Sequence, residues 1–150
     1  MNPSPFDALA ETCATLLDVY VRWAKQRGLS ANEFFVLYQI GRHGSATPKE
    51  IGEEWHLPKQ TVSFVCRQLA EKGWLRTEAD PHDKRSKRLF LSEAGASRTL
   101  PMVAALHALE TQTAELFGLE KLNQLIKQLQ HLQLVFTQQA EWNHGNQSNR

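Results

Sequence analysis

A chain of 150 residues with 41% hydrophobic content is one domain's worth of sequence, enough to bury a core, and it has no run of about 18 apolar residues that could span a bilayer. Acidic Asp7 and Glu11 stand where a secretory signal needs a basic lead into an apolar stretch, so the cytoplasm is the expected compartment. The formal net charge of +1 does not by itself suggest a polyanionic partner, but its distribution does: residues 59 to 98 hold nine Lys/Arg against five Asp/Glu.

In chain order, Phe6, Leu9, Cys13, Leu16, Tyr20 and Trp23 repeat every three or four residues along a first helix that Gly28 ends. Ser30-Ala31-Asn32-Glu33 is a capping box, and Phe34, Leu37, Tyr38 and Gly41 follow at helical spacing up to His43-Gly44. Thr47-Pro48-Lys49-Glu50 is a second box, with Pro48 suited to the first helical position; it starts a short helix to about Trp55. His56-Leu57-Pro58 is short enough only for a tight connection. From Pro58 to Lys72 a further helix carries Val62, Val65, Cys66 and Leu69 on one side and Lys59, Gln60, Ser63, Phe64 and Arg67 largely on the other. Two short helices joined by so few residues predict a helix-turn-helix whose second member enters a major groove.

Gly73 stops that helix, and Trp74 to Glu78 reads as a strand. Asp80-Pro81-His82-Asp83-Lys84-Arg85-Ser86-Lys87-Arg88 then forms a charged loop leading into a second strand that ends Leu89-Phe90-Leu91. Helix, strand, charged loop, strand is the order of a winged helix. The four cations between Lys84 and Arg88 are expected at the tip and far side of the hairpin, where folding has no use for them and a polyanion can be reached. Ser92 to Phe117 is helical in composition, with a kink or break expected between Thr99 and Pro101. Leu119, Leu122, Leu125, Ile126, Leu129, Leu132 and Phe136 mark a last helix, and Trp142 to Arg150 has no apolar period and is expected to fray.

The stretch from about Ser30 to Arg98 resembles the MarR family of bacterial winged-helix transcriptional regulators. The resemblance rests on Leu69-Ala70-Glu71-Lys72-Gly73-Trp74-Leu75, on Asp80-Pro81-His82-Asp83-Lys84-Arg85-Ser86 and on Leu89-Phe90-Leu91-Ser92-Glu93-Ala94-Gly95. These are similar to the family's recognition-helix end, its Asp-x-Arg-Asp-x-Arg wing and its Leu-Thr-x-x-Gly exit. It implies that Asp83 orients basic wing side chains and that Arg85 enters the minor groove. Two departures stand out: His82 replaces the wing's first Arg, and Phe64 stands where the family usually carries a polar or basic residue. Phe64 is left with two roles, contact with a thymine methyl or completion of the core. The resemblance also implies dimerisation through the terminal helices and a small aromatic or amphipathic effector held between the dimer layer and the winged-helix lobe. Some members sense peroxides through a Cys on the first helix near Tyr hydroxyls, so Cys13, seven residues before Tyr20, makes a redox-sensing regulator an alternative.

The expected fold class is therefore mainly α with a small β-hairpin. A dimerisation helix (1–29) leads into a winged helix-turn-helix domain (30–98), C-terminal dimerisation helices (99–141) and a disordered tail (142–150). The expected function is that of a sequence-specific double-stranded DNA-binding regulator, a repressor acting as a homodimer on a pseudo-palindromic operator. Lys59 and Arg67 suit phosphates or guanine edges, Gln60 suits adenine, and Thr61 and Ser63 suit either bases or phosphates. Thr47 and the helix start it caps are expected to hold a phosphate. His82, Asp83, Lys84, Arg85, Ser86 and Lys87 form the wing site at the minor groove and its backbone. Catalytic motifs, metal-ligand spacing and cofactor loops are not recognisable, which argues against an enzyme; Cys13 and Cys66 stand alone on separate helices. A winged-helix module that binds an acidic protein partner is the competing reading.

Overall fold

The computed structural model describes residue 2 and residues 4–147. Three of its helices start on capping boxes, in which a hydroxyl accepts from a backbone N–H that has no intrahelical partner and a carboxylate returns the bond. Ser4 and Asp7 open α1 (Pro5–Lys25), Ser30 and Glu33 open α2 (Ala31–His43), and Thr47 and Glu50 open α3 (Pro48–Trp55). The second and third lie where the sequence places them. The helix α4 (Lys59–Glu71) begins one residue later than expected, with Pro58 as its N-cap. His56, in the left-handed region at φ 51°, makes the tight turn between α3 and α4.

Strands β1 (Leu75–Ala79) and β2 (Lys87–Leu91) pair antiparallel, Leu75 opposite Leu91 and Ala79 opposite Lys87. Ala46 adds a single bridge to Leu89, exchanging two backbone bonds of 3.1 and 2.8 Å, so the segment between α2 and α3 is tied to the wing. The core is built from Phe34, Val36, Leu37 and Ile40 of α2, Ile51 of α3, Val62, Val65 and Leu69 of α4, and Leu75 and Leu89 of the hairpin. Phe34 is the centre of an aromatic cluster with Tyr20, Trp23 and Tyr38, and Phe35 stacks on Trp55 at 4.6 Å.

Of the kink or break expected near Pro101, the break does not occur: α5 (Glu93–Phe117) is continuous through it. Thr99, Met102 and Leu106 are buried, and the carbonyl that loses its donor to Pro101 belongs to Ser97, which is exposed and can bond water. Packing thus overrides local propensity. After Gly118, α6 (Leu119–Gln147) continues into the segment expected to fray; residues 148–150 lie outside the described residues. Contacts divide the chain into two compact units, Met1–Ala104 and Ala105–Arg150.

Gly95, the last residue of the hairpin exit, lies where β1 begins. Ser92 donates its hydroxyl to the Gly73 carbonyl and accepts from the Gly95 N–H at 3.0 Å, and a Cβ on Gly95 would fall well inside contact distance of the Trp74 carbonyl. Alanine is ordinarily about 1 kcal/mol better than glycine inside a helix. At this position the sign should reverse: Gly95→Ala is expected to lower stability by about 1–3 kcal/mol through backbone displacement, seen as a lower thermal midpoint. An unchanged or raised midpoint would show that α5 can move away from the hairpin freely.

Candidate nucleic-acid interface

The recognition surface starts from the two sides of α4. Val62, Val65, Cys66 and Leu69 are buried, and burial pushes the Cys66 thiol up to about 11, so it is an inert core residue. Lys59, Gln60, Ser63, Phe64 and Arg67 are exposed, and Thr61 is half-buried beside them. The sequence pattern assigned these sides correctly, and the core role left open for Phe64 is excluded, since it is 56% exposed. A groove of about 550 Å³ runs along this face, where Ser30 and Asn32 at the start of α2 join Gln60, Thr61, Phe64 and Gln68. Gln68 was legible one turn beyond Phe64 on the same side of the helix. Ser30 and Asn32 were not, because only folding brings the start of α2 to α4.

The wing loop is shaped by two aspartates acting on backbone. Asp80, buried, accepts the His82 N–H at 3.1 Å, and its own N–H bonds the Ser86 carbonyl. Asp83 accepts the Arg85 N–H at 2.9 Å, and its carbonyl accepts from Ser86 N–H. These are Asx turns, the usual use of Asp in a loop of this length. Asp83 therefore fixes the main chain at Arg85, the residue whose side chain the resemblance implies it orients. His82, Asp83, Lys84, Arg85 and Lys87 are exposed and Ser86 is half-buried.

Arg88 corrects the reading of the basic run as charge for which folding has no use. Its guanidinium donates to Ser45 Oγ at 3.0 Å and to Glu50 Oε1 at 2.9 Å, and lies 3.8 Å from Asp80 Oδ1. It ties β2 to the loop before α3 and to the capping box itself. Thr47 serves the fold as the cap of α3. It is 5% exposed, its hydroxyl accepts the Glu50 N–H, Glu50 returns a bond to the Thr47 N–H, and Pro48 has no N–H to offer. The Thr47 hydroxyl and the Glu50 carboxylate are thus both engaged in capping this helix start.

The Thr47 N–H and the Arg88 guanidinium hold the Glu50 carboxyl below its ordinary 4.5 against its partial burial. A carboxyl depressed in the folded state stabilises the fold above its unfolded value, and that contribution fades as pH falls through the folded value. The urea midpoint should therefore drop below about pH 4.5, and Glu50→Gln should have a lower midpoint at neutral pH and a flatter acid limb. An acid limb identical to that of the unsubstituted protein would show that Glu50 does not link the wing to α3.

Three helices carrying a helix-turn-helix and capped by a two-stranded hairpin define a winged helix-turn-helix protein. A MarR family model matches residues 27–86. The uncharacterized HTH-type transcriptional regulator YkoM of Bacillus subtilis is 32% identical over 94 residues, a match that spans 63% of this chain and 60% of that protein. The structure of NMB1585, a MarR family regulator from Neisseria meningitidis, superposes with a TM-score of 0.82 at 32% identity, covering 94% of this chain and 99% of that one. The Staphylococcus aureus MepR–DNA complex shares the fold at a TM-score of 0.68 and 16% identity, covering 87% of this chain and 96% of that one. The chain belongs to the MarR family.

Proposed function

We propose that this protein is a sequence-specific, double-stranded DNA-binding transcriptional regulator that acts as a homodimer on a pseudo-palindromic site. The observation that carries the reading is the exposed polar face of α4 together with the exposed cations Lys84, Arg85 and Lys87 of the wing, all within one compact unit. Lys59, Gln60, Thr61, Ser63, Phe64 and Arg67 face the major groove, and the wing lies along the adjoining backbone and minor groove. That a protein of the same fold has been solved with DNA supports this placement. Dimerisation is supported by apolar surface on the terminal helices: Leu16 is 64% exposed, Leu17 59% and Ile126 44%. A second copy of the chain covers such stripes and supplies the second half-site reader. Occupying a promoter blocks transcription without any further contact, so repression is the sign of regulation we propose. A small effector acts on such a regulator by binding its DNA-competent and DNA-incompetent states with unequal affinity.

The test is duplex binding as a function of salt. Affinity should fall steeply as salt rises, because each neutralised phosphate releases counterions, and Arg85→Ala should lower the magnitude of the log K against log salt slope by about one per subunit. The reading fails if affinity for duplex is insensitive to salt. If Arg85→Ala leaves affinity and slope unchanged in a folded protein, the wing is a protein-binding element or a solvated tip, and the DNA reading rests on α4 alone.

A further inference from the structure

The exposed face of α4 beside the groove carries one large apolar side chain among polar ones. Phe64 lies in the N-terminal half of the helix, the part that reaches base edges in a helix-turn-helix, and is 56% exposed. Gln60 precedes it by one turn and Gln68 follows it by one turn on the same side, with Ser63 and Arg67 flanking. A phenyl ring is thus held in water among exposed side chains, Gln60, Ser63, Arg67 and Gln68, that are donors and acceptors. An isolated exposed apolar residue on a random face needs no explanation. This one is centred on the face that the proposed function turns toward the major groove, where the only apolar group offered by any base pair is the C5 methyl of thymine.

Resting on that reading, we infer that Phe64 is a specificity-determining residue that selects a thymine in each half-site by packing its ring against the thymine methyl. Gln60, one turn toward the helix start, is placed to bond N6 and N7 of an adenine at a neighbouring base pair. The pair would favour adjacent A·T steps. Cytosine at the same position lacks the C5 methyl and so offers the ring no apolar group to pack against. Phe64 makes the methyl count twice per operator, once in each subunit's half-site.

The experiment compares the full-length protein with Phe64→Ala, whose folding is preserved because the side chain is outside the core. Duplexes are first selected from a random pool with each protein. The unsubstituted protein should enrich a duplex with a fixed thymine in each half-site; Phe64→Ala should enrich the same motif with that position degenerate. Each thymine of the selected duplex is then replaced singly by deoxyuridine, which removes the methyl and nothing else. At the selected position this should weaken the unsubstituted protein roughly fourfold, the worth of burying one such group, and Phe64→Ala by no more than about twofold. If a motif is enriched but no single deoxyuridine discriminates the two proteins, the inference about Phe64 is overturned while the DNA reading stands. If no duplex is enriched by the unsubstituted protein, sequence-specific reading itself is overturned.

Discussion

Glutamate in place of both Ile126 and Leu129 should dissociate the protein into monomers at micromolar concentration and abolish tight operator binding. Both side chains are exposed on α6, at 44% and 37%, one turn apart, within the apolar series from Leu119 to Phe136. Only about two-fifths of each side chain is left for a partner to cover, worth roughly 0.6–1.2 kcal/mol, and each occurs twice across a two-fold interface, so the apolar loss alone is about 2–5 kcal/mol. Four buried carboxylates add their own desolvation cost. Glutamate is a good helix former, so α6 itself should persist. A monomer keeps one half-site reader and loses the coupling that makes two weak grips one strong one, so affinity for the full operator should drop by at least about 100-fold. Sedimentation and duplex titration together decide the outcome. A dimer with intact affinity overturns the assignment of the interface to α6, and a monomer with intact affinity overturns the two-half-site reading.

What could be read from the sequence was what is local. A capping box closes on residues three apart, so Ser30 with Glu33 and Thr47 with Glu50 announced two helix starts that the structure places as expected. The Ser4 and Asp7 box is equally local, with Asp in the place where the usual pattern has Glu or Gln. The two sides of α4 follow from helical spacing alone. Arg88 failed for the opposite reason. Its partners Ser45 and Glu50 lie about 40 residues earlier in the chain, and nothing in a run of cations tells which one turns back onto the fold. Thr47 was legible as a cap, and its hydroxyl and the Glu50 carboxylate close the box as the spacing implies. Pro101 stands as a case where local propensity loses to burial of its neighbours Thr99 and Met102.

The Arg88 network changes what the hairpin can do. Glu50 bonds both the N–H of its own cap and a guanidinium on β2, and the Ala46–Leu89 bridge runs alongside. The wing is therefore anchored at its base to the first helix of the helix-turn-helix while its loop, from His82 to Arg85, stays exposed. A tethered base and a free tip suit a groove contact: register against α4 is set by folding, and only the tip has to adjust to DNA. The cations divide accordingly, Arg88 holding the frame and Lys84, Arg85 and Lys87 remaining available.

On the selected duplex, Gln60→Ala and Arg67→Ala should each weaken binding far more than on random DNA. The motivating geometry is that both side chains are exposed on α4, clear of the buried Val62, Val65, Cys66 and Leu69, so truncation removes donors without opening the core. A bidentate contact from Gln to adenine or from Arg to guanine is worth about 1–3 kcal/mol of discrimination. Because a symmetric dimer makes each contact twice, the operator should lose about 2–6 kcal/mol per substitution, roughly 30-fold to more than 10⁴-fold. Random duplex should lose little for Gln60→Ala, which carries no charge. For Arg67→Ala it should lose only the counterion-release component, visible as a salt slope reduced by about one per subunit if the guanidinium also touches phosphate. Equal losses on selected and random duplex would reassign a residue from base edge to backbone. No loss on either, in a protein that remains a dimer, would place α4 outside the DNA interface and leave the wing as the principal contact.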